Sequence, residues 1–199
     1  MSLLQVKDLS ISFGGVKAVD GVSFTVEPGE VFTLVGPNGA GKSTIFNLIS
    51  RLYEPGGGQI LFDGQDITSL PAHKVAGLGI ARTFQNIELF DHSSVLQNLL
   101  IGRHCRRNTR WFEELLFLPK VRRSEREHRL LVEEVIDFLD LAPYRDKLIA
   151  GLPYGVRKVV EIARALSSQP KLILLDEPAS GLSVEAVSYT HLTLPTISS

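Results

Sequence analysis

The chain has a single cysteine, Cys105, so an internal disulfide framework is impossible and a reducing compartment is its natural home. It has almost no net charge, −1 at pH 7, so no global field argues for an acidic surface, and no nucleic-acid partner is expected. Long hydrophobic runs are missing too. No stretch is apolar for long enough to span a bilayer, and Met1–Lys7 is too short in apolar run to read as a signal peptide. Any membrane role is therefore expected to come through a partner. What is present is enough apolar content, 44%, for a proper core in one or two domains.

The strongest local signal is Gly36-Pro37-Asn38-Gly39-Ala40-Gly41-Lys42-Ser43-Thr44, which fits the phosphate-loop pattern G-x-x-x-x-G-K-[ST]. Glu30–Val35 before it reads as a buried strand, and Ile45–Ile49 after it as an apolar helix, giving the strand–loop–helix setting the motif requires. Glycine lets the backbone turn tightly with its N–H groups facing a phosphate chain, and the helix beginning near Lys42 adds its positive end. Lys42 places a flexible charge on the terminal phosphates and Ser43 offers a hydroxyl to Mg²⁺. A nucleoside triphosphate is the implied ligand. No Asn-Lys-x-Asp sequence occurs, which disfavours a guanine nucleotide.

Elsewhere the periodicity predicts short strands at Leu4–Val6, Ile11–Phe13 and Val22–Val26, with a hairpin break at Gly14-Gly15. Gly56–Gly58 reads as a flexible turn before a strand at Gln59–Phe62, and Asp63-Gly64 as the next turn. A short helix runs from Leu70-Pro71 through Ala76, followed by a strand from Gly79 to Gln85. From Ser94 the pattern is helical, with Val95, Leu96, Leu99 and Leu100 on one side. Between Arg103 and Arg129 basic residues outnumber acidic ones around Trp111–Phe117; this is either a surface for lipid headgroups, nucleic acid or a protein, or a solvated helical insertion with an apolar anchor, the reading we favour. His128–Leu141 is an amphipathic helix with Leu131, Val135, Phe138 and Leu139 near one face; Gly155–Ser167 is another, with Val159, Val160, Ile162, Ala163 and Leu166 inward. Lys171–Leu175 is a buried strand delivering Asp176 and Glu177 at its end, where Asp176 would hold the Mg²⁺ shell and Glu177 would polarise an attacking water.

Taken in order, Gly36–Thr44, Gln85 after a strand, Leu152-Pro153-Tyr154-Gly155 before a helix, Leu172–Glu177 and Ser180-Gly181-Leu182-Ser183 resemble the Walker A, Q-loop, signature, Walker B and D-loop motifs of ABC transporter ATPase subunits. The resemblance implies an α/β fold, a P-loop NTPase core with an N-terminal antiparallel β-subdomain and a helical subdomain at about 88–155, within an ATPase domain over 1–186. It implies ATP and Mg²⁺ as cofactors, Phe13 stacking on adenine, Gln85 as a metal and catalytic contact, and Glu177 as the catalytic carboxylate. Within the family, Arg82–Asn86, Leu89-Phe90, Asn98–Leu100, the Trp111–Arg126 insertion and the Leu-Pro-Tyr-Gly signature resemble ATP-binding subunits of branched-chain amino acid importers. That implies two membrane permease subunits, a second ATPase subunit lending its signature helix in trans, an external substrate-binding protein, and a place on the cytoplasmic face of the membrane. Alternatives are another ABC system, such as a urea or amide importer or lipopolysaccharide export, or a soluble ABC protein acting on nucleic acid.

The chain departs from the family pattern in two ways. Pro153, Tyr154 and Val156 replace the usual Ser, Gly and Gln of the signature, leaving backbone N–H groups near Gly155 to meet the phosphate. His191 follows Glu177 too closely to be the switch histidine, and Val187–Ser199 reads as a foreign tail joined to a truncated ATPase domain.

Overall fold

A computed structural model describes residues 2–83, 87–103 and 119–176, which fall into two compact units divided between Ile80 and Ala81. The first holds β1 (Leu4–Phe13), β2 (Val16–Val26), α1 (Lys42–Ile49), β3 (Gly57–Phe62), β4 (Gln65–Asp66) and α2 (Ala72–Leu78). Its four strands form one antiparallel sheet in the order β2-β1-β3-β4.

The two strand segments expected at Leu4–Val6 and Ile11–Phe13 are one strand. Leu4, Val6, Leu9 and Ile11 are all buried, although alternation from Leu4 would turn Leu9 outward. The register of both ladders slips after Lys7, and Asp8 sits at φ 47°, its N–H donating to Ser23 Oγ at 2.8 Å. That irregularity resets the phase and returns apolar side chains to the core. Gly14 and Gly15, both at positive φ, make the expected hairpin turn. The glycines at 56–58 are no flexible turn: Gly57 and Gly58 lie within β3. A Cβ on Gly58 would stand 2.5 Å from the carbonyls of Lys7 and Asp8, and its φ is +90°, so only glycine fits opposite the irregular part of β1.

The buried strand expected at Glu30–Val35 is not observed. Val31 is 84% and Val35 91% exposed, and among the described residues no strand pairs with this segment. An apolar run becomes a strand through its ladder partners, and pattern alone does not supply them. Phe32 is the one anchored aromatic, stacked on Phe24 with ring centroids 4.9 Å apart.

The second unit carries β5 (Ile80–Arg82, which begins at the boundary), α3 (Val95–Gly102), α4 (Pro119–Phe138), α5 (Tyr154–Ser167) and β6 (Leu172–Leu174), with β5 and β6 paired. Ser94 and Gln97 form a reciprocal capping box that starts α3. Behind it the fully buried Asn98 accepts from the Phe90 N–H at 2.9 Å and donates to the carbonyls of Phe90 and Ser94. The helical core is Val95, Leu96 and Leu99 of α3, Val132 and Ile136 of α4, and Val160 and Ala163 of α5, closed by Leu141, Ile149 and Leu152. On α4 the centre of the inward face is Val132 and Ile136; the expected Val135 and Leu139 pack against the core beside them, Leu131 is half-buried, and only Phe138 of the expected stripe is exposed, at 48%. The helix also starts earlier than expected, inside the basic stretch. There Arg123 pairs with Glu127 in solvent, as a solvated helical surface would.

Glu133 on α4 receives the Arg145 guanidinium through both carboxylate oxygens, and this hydrogen bonding holds its pKa below the ordinary 4.5. A carboxylate depressed in the native state contributes stability above its unfolded value and loses it as pH falls through the native one. Glu133→Gln should therefore cost about 1 kcal/mol at pH 7, given partial exposure, and much less near pH 3. Urea unfolding at the two pH values checks this; an equal penalty at both would show that the pair is not the cause.

Candidate nucleotide-binding site

The phosphate loop spans Gly36 to Thr44 in the first unit. Gly39 and Gly41 take φ near +82° and +83°, and Ala40 N–H bonds back to Pro37 carbonyl at 3.2 Å, closing a tight turn. A Cβ on Gly41 would lie 2.5 Å from the Ala18 carbonyl and 3.4 Å from Val19, so the loop rests directly on β2. At Gly36 a Cβ would meet Ala40 Cβ at 3.2 Å. Backbone meets backbone at Gly41, while Gly36 makes room for the Ala40 side chain, and the tip, Pro37, Asn38, Gly39 and Ala40, is exposed.

Helix α1 begins at Lys42 with Gly41 as N-cap, with no side chain capping it and no acidic residue in its first turn. Its positive end therefore stays open to an anion. Lys42 Nζ donates to the Gly36 carbonyl at 2.6 Å and the Pro37 carbonyl at 2.8 Å, folding its charge back over the loop. Ser43 and Thr44 follow, both half-buried. The residues present suit a polyphosphate: a cradle a Cβ would fill, an open helix N-terminus and a lysine over it.

Phe13 ends β1, 46% exposed, with Tyr53 edge-on at 5.3 Å. It is thus not a core side chain. The hairpin that carries it is the one whose Ala18 and Val19 support Gly41, so one element positions the aromatic and the loop. A cleft of about 430 Å³ on this hairpin, lined by Ser10, Ser12, Lys17, Asp20 and Glu54 among others, includes no residue of the phosphate loop and is a separate feature.

Asp176 and the signature belong to the second unit. Asp176 follows β6 with 5% exposure, and Arg82, the last residue of β5, reaches its Oδ2 at 3.3 Å. The Thr83 N–H to Leu174 carbonyl bond, 3.0 Å, clamps the two strand ends together. A buried carboxylate at a strand end is a hard oxygen donor of the kind Mg²⁺ takes. In the signature, Leu152 is buried in the helical core, Pro153 is the N-cap of α5, Tyr154 is 47% exposed and Gly155 half-buried. The first turn of α5 has no acidic residue and no side-chain cap, so its positive end also stays open. Gln85, Glu177 and the D-loop residues Ser180–Ser183 lie outside the described residues, as does 187–199.

Sequence reasoning missed several participants. Tyr53 gave no periodic signal. Lys158 and Glu161 of α5 are 3% and 1% exposed and pair at 3.3 Å, a buried ion pair that the apolar pattern of the helix does not signal. Arg82 stands out in the sequence as part of the Arg82–Asn86 run, but nothing there points to its partner 94 positions away.

The sequence profile of the ABC transporter family matches residues 19–180. The chain belongs to this family. It is 41% identical over 180 residues to the high-affinity branched-chain amino acid transport ATP-binding protein BraF of Pseudomonas aeruginosa, a match covering 90% of this chain and 71% of the relative. With LivG of Escherichia coli K12, a protein of the same description, it is 39% identical over the same shares. Among solved structures, an ATP-binding cassette of an ABC transporter in its ADP conformation superposes with TM-score 0.79 at 35% identity, covering 94% of this chain and 73% of that one. The expected α/β cassette fold is thereby borne out, and the chain is an ATPase subunit of the ABC type. No helix among the described residues is long and apolar enough to cross a membrane.

Proposed function

We propose that this chain binds and hydrolyses ATP to drive an importer of branched-chain amino acids. The carrying observation is the 41% identity to BraF over 90% of the chain, joined to a phosphate loop whose glycines, helix end and lysine are arranged for a nucleotide tail. Phe13 offers its exposed face to adenine, the Gly36–Thr44 backbone and Lys42 hold the phosphates, and Ser43, Gln85 and Asp176 would hold Mg²⁺. When bound, Mg²⁺ neutralises charge on the terminal phosphates. Glu177 orients and polarises the attacking water, and the chain's other work is positioning. The open N-terminus of α5, at Leu152–Gly155, serves the nucleotide of a second ATPase subunit, with backbone N–H groups in place of the usual serine hydroxyl.

Two permease subunits and an external binding protein complete the assembly, with this subunit peripheral on the cytoplasmic face. Glu177→Gln should retain ATP binding while turnover falls about 100-fold or more, a general base being worth that much. Hydrolysis at the unaltered rate would remove Glu177 from the role. Uptake of labelled leucine by cells lacking their own such subunit tests the substrate: restoration supports the reading, and restored uptake of urea or an amide instead would replace it.

A further inference from the structure

We propose that Arg82 is the resting counter-ion of Asp176, and that nucleotide-borne Mg²⁺ has to share the carboxylate with it. This rests on the reading of Asp176 as a Mg²⁺ ligand and adds a positioning residue to that site. Both side chains are almost wholly buried, at 8% and 6% exposure, and the guanidinium meets Oδ2 at 3.3 Å. A carboxylate withdrawn from water this far is stabilised by a positive partner, and Arg82 supplies one.

The pairing strands are the means of placement: β5 ends on Arg82, β6 ends two residues before Asp176, and the Thr83–Leu174 bond sets the two ends in register. A cation arriving at Asp176 meets a charge already half-satisfied and a like charge beside it. Its attraction is therefore weaker than for a bare carboxylate.

Two measurements on the full chain decide this. In EDTA without nucleotide, Arg82→Gln and Asp176→Asn should each lower the urea midpoint, and the double variant should lose clearly less than the sum. Strict additivity would overturn the pair. In the second, fluorescent ATP binding is measured with Mg²⁺ and with EDTA, and the ratio of the two dissociation constants is read. Removing an opposite charge at this range should raise the ratio in Arg82→Gln by about tenfold over the parent. In the double variant it should match Asp176→Asn alone. An unchanged ratio in Arg82→Gln, or a rise that persists with Asp176→Asn, would overturn the exchange, and a merely structural arginine would not move it. If Asp176→Asn alone leaves the ratio at the parent value, the metal reading of Asp176 falls and the exchange falls with it, while the metal-free cycle still judges the ion pair by itself.

Discussion

Lys42→Met should weaken ATP binding by about 5- to 700-fold while leaving AMP binding unchanged. An ammonium reaching two phosphate oxygens makes charge-assisted bonds worth roughly 1.5–3 kcal/mol each. Against that, Lys42 must release the Gly36 and Pro37 carbonyls, which it holds at 2.6 and 2.8 Å. Those acceptors are neutral, so each bond is worth less, about 1 kcal/mol net, and about 1–4 kcal/mol survives, which is the stated range in dissociation constant. AMP lacks the phosphates that Lys42 would meet and serves as the internal control. Equal losses for ATP and AMP would mean that the substitution had damaged the loop instead of removing a phosphate contact.

The second large effect is one of stability, at Gly102→Ala. Replacing glycine by alanine inside a helix normally gains about 1 kcal/mol. Here a Cβ would stand 2.4 Å from the Arg164 carbonyl oxygen and 3.3 Å from its carbon, because α3 and α5 touch at backbone level. Backbone cannot rotate aside as a side-chain tip can, so the two helices must separate over the core formed by Leu99, Val160 and Ala163. Overpacking of this kind costs about 3 kcal/mol, at the upper end of the usual range, and outweighs the propensity gain by about 2 kcal/mol. Gly77 is the matched control: it lies within α2, and a Cβ there meets nothing within 4 Å. Gly77→Ala should therefore stabilise by about 0.5–1 kcal/mol. Urea midpoints of both variants test the contrast, and a stabilised Gly102→Ala would refute the close approach.

The candidate site was legible where its chemistry is local. Gly36–Thr44 must sit in consecutive residues because one turn and one helix end make the cradle, and the structure has the turn, the open helix end and the lysine over them. The helix at Ser94 and the signature helix were legible for the same reason, since caps and 3.6-residue spacing are short-range signals. The Glu30–Val35 segment was misread because a buried strand is a property of its neighbours. The same apolar run is exposed where no described strand pairs with it. On α4 the expected Val135 and Leu139 do pack against the core, but its fully buried centre is Val132 and Ile136. Apolar residues occur on more than one side of that helix, and only packing against α3 and α5 selects which side turns inward.

By itself the sequence determined the phosphate loop, the order of the motifs and the family, because each is written in contiguous residues whose chemistry does not wait for the fold. Tertiary structure alone decided three things: that Asp8 resets the phase of β1, that Gly41 rests on Ala18, and that Arg82 stands against Asp176. Each joins residues far apart along the chain, and their energies come from burial and close approach. Neither exists until the strands have paired.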